Sequence, residues 1–323
     1  MMVLSRIVFL FFGPFVFLYS LSAEYQIKEG RLIDSAYIAT ESGEEHYQSM
    51  LQASYRQDWK EVLREATIIQ KNFPQHDFFH EVLFYEAVAF FHQRDYGIAD
   101  QKFSEYLKQK KSHLIAHLEE SLEYKYQIAE QFRHGEKKRF LGLHSFPKWL
   151  PASGDAIAIY DEILENYGDH SHLLSAKSLF AKGSLLVEMK QFEEGLAALD
   201  TLIEKFPNTD FAFQAYVKLS QVYHEQMRKE IHHPDLLFLA EMNMQLFARD
   251  FPQHEAEQRE MKRLWQEMRE VRAVGIFEIA QFYERKKHFE AARVYYQNIL
   301  EYYAETNIVE KVREEISSLP TSE

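Results

Sequence analysis

Gln191–Pro207 reads QFEEGLAALDTLIEKFP. From Phe192, small or apolar residues return at Gly195, Leu199 and Leu202, and the run stops at Phe206–Pro207. That spacing predicts a helix with one buried stripe and a fixed stop, because proline cannot continue it. The same frame recurs as Trp59, Val62, Ala66, Ile69, Phe73 and Pro74, again as Tyr96, Ala99, Phe103 and Tyr106, and again as Phe289, Ala292, Tyr296 and Ile299. Weaker copies run through Ser153, Ala156, Tyr160, Ile163 and Tyr167, and through Leu237, Ala240, Met244, Phe247 and Phe251 before Pro252.

Upstream of each clear copy lies a second amphipathic pattern. Nine residues before the Phe192-type position it carries a small residue: Ala87, Gly183 or Ala280. Two helices joined by a short turn approach closely only where a side chain is missing. A helix pair with a period of about 34 residues, small at one fixed place and proline at another, resembles the tetratricopeptide repeat. The expected fold is therefore all-α, a right-handed α-solenoid of about five to six such helix pairs.

Composition agrees. Of 323 residues 46% are hydrophobic, with only 11 Gly and 8 Pro to make turns, which argues against a β protein. The 26 Phe and 19 Tyr suit repeats that each bury large side chains against their neighbours. A net charge of -13 argues against nucleic acid as the main partner, since phosphate binding needs basic surface. With no cysteine, disulfides, thiolate metal sites and a lipid attached through cysteine are excluded.

The first residues read as an address. Arg6, the apolar run of residues 7–18 and then Tyr19-Ser20-Leu21-Ser22-Ala23 match the parts of an export signal, expected over 1–23. The run is short for a membrane span, and an uncleaved anchor is the alternative. Leu21-Ser22-Ala23 is similar to the start of a bacterial lipobox, but Glu24 stands where the lipidated cysteine would be.

Residues 24–43 have no strong period and read as an extended arm; 44–306 carry the repeats, and 307–323 a cap helix and tail. Repeat three is irregular. Its helices are separated by residues 134–153, HGEKKRFLGLHSFPKWLPAS, a loop long enough to be functional. Its candidate contacts are Lys137, Arg139, Phe140 and Trp149. Either the aromatics fold back on the repeats, or the segment touches a partner or a membrane surface.

No nucleophile elbow, phosphate loop or Gly-rich nucleotide turn is present, and no cofactor is expected. His76 with His80, and His113 with His117, have a helical metal-pair spacing, but neither lies in an HExxH motif. The chain reads as non-enzymatic. What remains is a surface: counted from the small residue, the fifth place of the first helices holds Tyr47, Phe84, Phe180 and Phe277. These are candidate partner-binding residues for an apolar segment; the competing reading is that they fill gaps between adjacent first helices.

The stretches FPQHDFFHEVLFYEAVAFFHQRDYGIADQKFSEYL, FPNTDFAFQAYVKLSQVYHEQM and EIAQFYERKKHFEAARVYYQNILEYYAET resemble the family of the D subunit of the bacterial outer-membrane β-barrel assembly (Bam) complex. The likeness spans about 44–306 and is strongest at Glu278, Ala280, Tyr283, Arg285, Phe289, Ala292, Leu300, Tyr303 and Thr306. It implies a periplasmic scaffold at the inner face of the outer membrane that binds the barrel-assembly subunit and unfolded barrel precursors. No individual contact residue of the family carries over. The alternatives are a periplasmic repeat protein linking envelope machinery and a secretion-type chaperone without a fixed complex.

Overall fold

The computed structural model describes residues 2–12, 15–28, 31–108, 116–139, 146–168, 172–229 and 235–320, with side chains from 33 onward. The chain forms two compact units, residues 1–159 and 160–323. Apart from two small sheets in the first unit it is all-helical and of the helical-repeat class, with thirteen α-helices among the described residues.

The first unit opens with three antiparallel strands, β1 (Met2–Phe12), β2 (Phe15–Lys28) and β3 (Arg31–Asp34). The stretch read as an export signal and the start of the arm thus have extended, paired backbone. The arm continues through a 3-10 turn, Ser35–Tyr37. Asn72 holds it, donating through Nδ2 to the Tyr37 carbonyl at 2.9 Å and accepting from the Ala39 N–H at 3.3 Å. Five helices follow: α1 (Gly43–Tyr55), α2 (Trp59–Asn72), α3 (Phe79–His92), α4 (Tyr96–Lys108) and α5 (Leu118–Arg133). Ser42 and Glu45 start α1 with a reciprocal capping box, which satisfies two backbone donors that the first turn leaves unpaired.

A short hairpin, β4 (Lys138–Arg139) with β5 (Lys148–Leu150), follows α5 and leads into α6 (Ser153–Tyr167), within which the two units divide. The second unit then holds α7 (Leu173–Glu188), α8 (Phe192–Lys205), α9 (Asp210–Lys229), α10 (Leu236–Asp250), α11 (Glu255–Arg285), α12 (Phe289–Tyr302) and α13 (Val309–Ser318).

One turn joins the helices inside a pair, and it is written four times. α1, α3, α7 and α11 each end in a residue with positive φ: Gln57, Arg94, Lys190 and Lys287, at 59° to 64°. The next residue donates back five positions, Asp58 to Ala53, Asp95 to Phe90, Gln191 to Leu186 and His288 to Tyr283, each at 2.9 Å. This six-to-one bond satisfies a carbonyl the helix end would leave bare. Glycine is the usual occupant of the left-handed position; here long polar side chains take it.

The second helices stop as the sequence predicts. Phe73, Phe206, Phe251 and Tyr303 each close the last turn with a bond to the carbonyl four residues back. The small residues act as expected too. A Cβ added at Gly183 would lie 2.8 Å from Leu199 Cγ and 3.1 Å from the Gly195 carbonyl, and one added at Gly195 would lie 2.9 Å from Val187 Cγ2. α7 and α8 therefore touch nearly backbone to backbone. Ala87 and Ala280, at the corresponding places, are fully buried.

Each unit builds its core from these stripes. In the first, Met50, Val62, Ala66, Ile69 and Val82 cluster without solvent contact. In the second, Leu199, Leu202, Ala215, Leu219, Met227 and Met268 form one cluster, and Ala280, Ala292, Tyr296, Ile299 and Val312 another.

Candidate protein-binding surface

The four fifth-place aromatics share a geometry that the sequence left open. Tyr47 on α1 stacks on Phe78 at 4.7 Å and donates its hydroxyl to Glu81 of α3; burial, then that carboxylate, push its phenol above the ordinary range. Phe84 on α3 stacks on His117, which caps the start of α5, at 4.1 Å. Phe180 on α7 lies 6.3 Å from Phe211 on α9. Phe277 on α11 has the Lys311 Nζ of α13 4.8 Å above its ring. Every one reaches the first helix, or its cap, of the repeat that follows.

Of the two readings the sequence left open, partner contact and gap filling, these contacts are those of gap-filling rings, most plainly at Phe84 and Phe277. Phe84 is 2% and Phe277 3% exposed, so neither ring presents a surface to a partner in this fold; Tyr47 and Phe180 are half-buried. The physical reason is the repeat spacing, which brings the next first helix against the fifth place, where a flat ring fills the gap. The helical histidine spacing has a similar explanation. His76 stacks on Phe78 at 3.8 Å and His80 on Tyr106 at 4.4 Å, while His113 lies outside the described residues. Among the described residues no group of three or more His, Asp or Glu gathers as a metal site.

The insert is built around a residue that sequence reasoning missed, Asp95. It sits at the start of α4, 6% exposed, and takes the Arg139 guanidinium as a fork, Nε at 2.9 Å and Nη2 at 3.5 Å. The Lys148 ammonium lies 3.2 Å away and also donates to the Arg94 carbonyl. Burial opposes the charged form of Asp95, but the two cations outweigh it and hold the carboxyl below its usual range. Lys138 pairs with Asp155 in the first turn of α6, where an acidic residue also complements the helix dipole. In the first repeat the corresponding residue, Asp58, merely caps α2 by accepting from the Glu61 N–H. An aspartate at that place is the one sequence signal that could have pointed to Asp95.

The hairpin register explains which insert side chains remain outside. Lys138 pairs with Leu150 and Arg139 with Lys148, so the strand partners advance by one residue on β4 and two on β5. Trp149 is the extra residue of a β-bulge, a device that re-aims a side chain. Its ring is 55% exposed, and Phe146 beside it 42%. Lys137 is exposed, whereas Arg139 is bound to Asp95. Phe140 lies outside the described residues. Between the hairpin and α4 is a cleft of about 340 Å³ lined by Tyr96, Asp100, Phe132, Lys138 and Leu150 among others.

The second unit exposes apolar side chains that the sequence reading did not single out. Phe238 and Met242 lie one turn apart on α10, and Val274 and Phe282 two turns apart on α11. Phe238 is 65% exposed. The signal was present as a second apolar spacing beside the core stripe, Phe238 to Met242, but one stripe is all a helix needs to pack.

Comparison with known proteins gives a tetratricopeptide repeat at residues 177–209, most of α7, all of α8 and the turn that follows it. The structure is similar to that of a tetratricopeptide repeat protein from Parabacteroides merdae, at 10% identity and TM-score 0.37, covering 85% of this chain and 97% of that one. It is also similar to MamA (41-end) from Desulfovibrio magneticus RS-1, at 13% identity and TM-score 0.34, covering 63% of this chain and 94% of that one. The curated proteins hold no match.

Proposed function

We propose that this chain is a periplasmic scaffold without catalytic activity, one that holds other polypeptides and serves the insertion of β-barrel proteins into the outer membrane. The coarser part of the reading follows from the repeat itself, since tetratricopeptide helix pairs form platforms for protein partners. The observation that carries it is the exposed apolar side chains of α10 and α11. Leu236, Ala240 and Phe247 already fill the core side of α10, so Phe238 and Met242 on its outer side are surplus to packing. A stripe of this kind on a folded helix marks a place where another chain can bind.

The finer part rests on the spacing of residues 278–306, which follows the pattern of the barrel-assembly D-subunit family, and on the export-type start at 1–23. The partners it implies are the barrel-assembly subunit and unfolded barrel precursors. Tagged full-length protein recovered from an envelope extract tests both parts. A barrel-assembly subunit in fixed proportion is the expected result, and it should be lost from a Phe238→Glu, Met242→Glu variant of unchanged helicity. A heterogeneous mixture of exported proteins would replace this reading with that of a chaperone.

A further inference from the structure

We propose that the outward edge of the β4–β5 hairpin is a contact site for an anionic lipid surface, with Trp149 as the inserting side chain and Lys137 and Arg94 as its cationic rim. The hairpin is sorted by its bulge. Arg139, Lys148 and Leu150 turn inward to Asp95 and the α4 cleft, and Trp149, left without a cross-strand partner, turns out. Among the described residues its indole makes no ring contact. Phe146, also exposed, is tied to the same lock, because Arg139 donates through Nη1 to its carbonyl. An exposed aromatic held by an ion pair whose carboxylate is buried is positioned rather than left over.

Charge selects the occupant. The chain is formally -13, yet at this edge one carboxylate, Asp95, faces both Arg139 and Lys148. Lys137 and Arg94 are exposed beside it. Glu136 offsets one charge, and the Lys138–Asp155 pair is neutral. The result is a small positive island carrying two large rings. A peptide ligand would need a groove to receive it, whereas Trp149 stands on the outer side of a two-stranded ribbon and, among the described residues, lines neither the cleft against α4 nor the shallow one at Lys137 and Lys148. An indole with flanking cations suits the interface of a bilayer, where its ring lies among headgroups and the cations meet lipid phosphate. Two rings alone give weak partitioning, so the attraction must depend on anionic lipid and be sensitive to salt.

The full chain is tested by flotation with vesicles of phosphatidylcholine alone and with about one third phosphatidylglycerol. Binding is expected only to the anionic vesicles, and it should be released as salt rises toward about 0.5 M. Trp149→Ala should weaken it about tenfold by removing the inserting ring, and Lys137→Ala about fivefold, both with the circular dichroism of the parent. Equal binding to neutral vesicles, no binding to anionic ones, or parent-like binding by both variants would overturn the proposal. So would a polyglutamate peptide that binds the parent, fails to bind Trp149→Ala and strips the protein from vesicles; the edge would then be a site for acidic protein segments.

Discussion

The ring of Phe84 lies on that of His117, 4.1 Å away and 7° from parallel, across a sequence separation of 33 residues. Phe84 belongs to α3 and His117 to the cap of α5, so the contact spans consecutive repeats. The neighbouring rings of Tyr106, tilted, and Phe103, edge-on, close the pocket at 5.7 and 6.1 Å. An aromatic so enclosed contributes to the fold before it contributes to anything else.

Phe84→Ala should therefore cost about 3 to 5 kcal/mol, the range for truncating a buried phenylalanine. Phe180→Ala, at a half-buried ring, should cost about half as much. Urea unfolding followed by circular dichroism measures both. A Phe84→Ala protein as stable as the parent but deficient in partner binding would restore the surface reading.

Gly183 faces Gly195 across the α7–α8 contact. Valine at 183 puts its Cβ on Leu199 and its methyl groups toward the α8 backbone, and α8 cannot withdraw without opening the core that Leu199 and Leu202 seal. A loss of at least about 2 kcal/mol is expected, read as a lower denaturation midpoint. Alanine at the same place should be milder, because Leu199 can shift.

Lys190 occupies a left-handed backbone position at φ 64° with its side chain exposed. Lys190→Gly relieves that conformation and should stabilise the chain by about 0.5 to 1 kcal/mol. The measurement is a shift of the thermal midpoint upward. A downward shift would show that the lysine stem packs on its neighbours.

Asp95→Asn removes the charge that binds the hairpin to α4 and leaves Arg139 and Lys148 facing a neutral amide. The expected cost is about 2 kcal/mol, below the full value for a buried ion pair because both cations are partly solvated. In the parent, the folded Asp95 carboxyl titrates below its ordinary value. Its contribution is therefore complete above about pH 4 and is lost as the pH falls through the lower folded value. Hydrogen exchange at residues 138–139 and 148–150 should be flat from pH 5 to 8, after correction for intrinsic rates, and rise only in acid.

Helix positions were legible in this sequence because three local signals coincide. The apolar stripe of Phe192, Gly195, Leu199 and Leu202 sets the period, the Phe–Pro pair sets the stop, and Gly183 sets the approach of the partner helix. The site was less legible. A fifth-place ring shows the same spacing whether it meets solvent or the next repeat, and only the position of that repeat decides, as Phe84 and Phe277 show. The Asp95–Arg139 lock joins residues 44 apart and leaves no periodic trace. The bulge at Trp149 is a matter of strand register, which a segment of mixed basic and aromatic residues does not specify. The pairing of β1 with β2 was hidden because an apolar run fits a strand as well as a signal segment.

The fifth-place contacts have a direction. In each unit the ring belongs to the earlier helix pair and its cover to the later one: Phe78 and Glu81 for Tyr47, Phe211 for Phe180, Lys311 for Phe277. Damage is consequently transmitted toward the N-terminus, because a pair that melts uncovers the aromatic behind it, while a pair ahead of the break keeps its own shelter. Loss of α13 would strip the Lys311 cover from Phe277, so proteolysis within a unit should advance stepwise from its far end rather than fragment it at random.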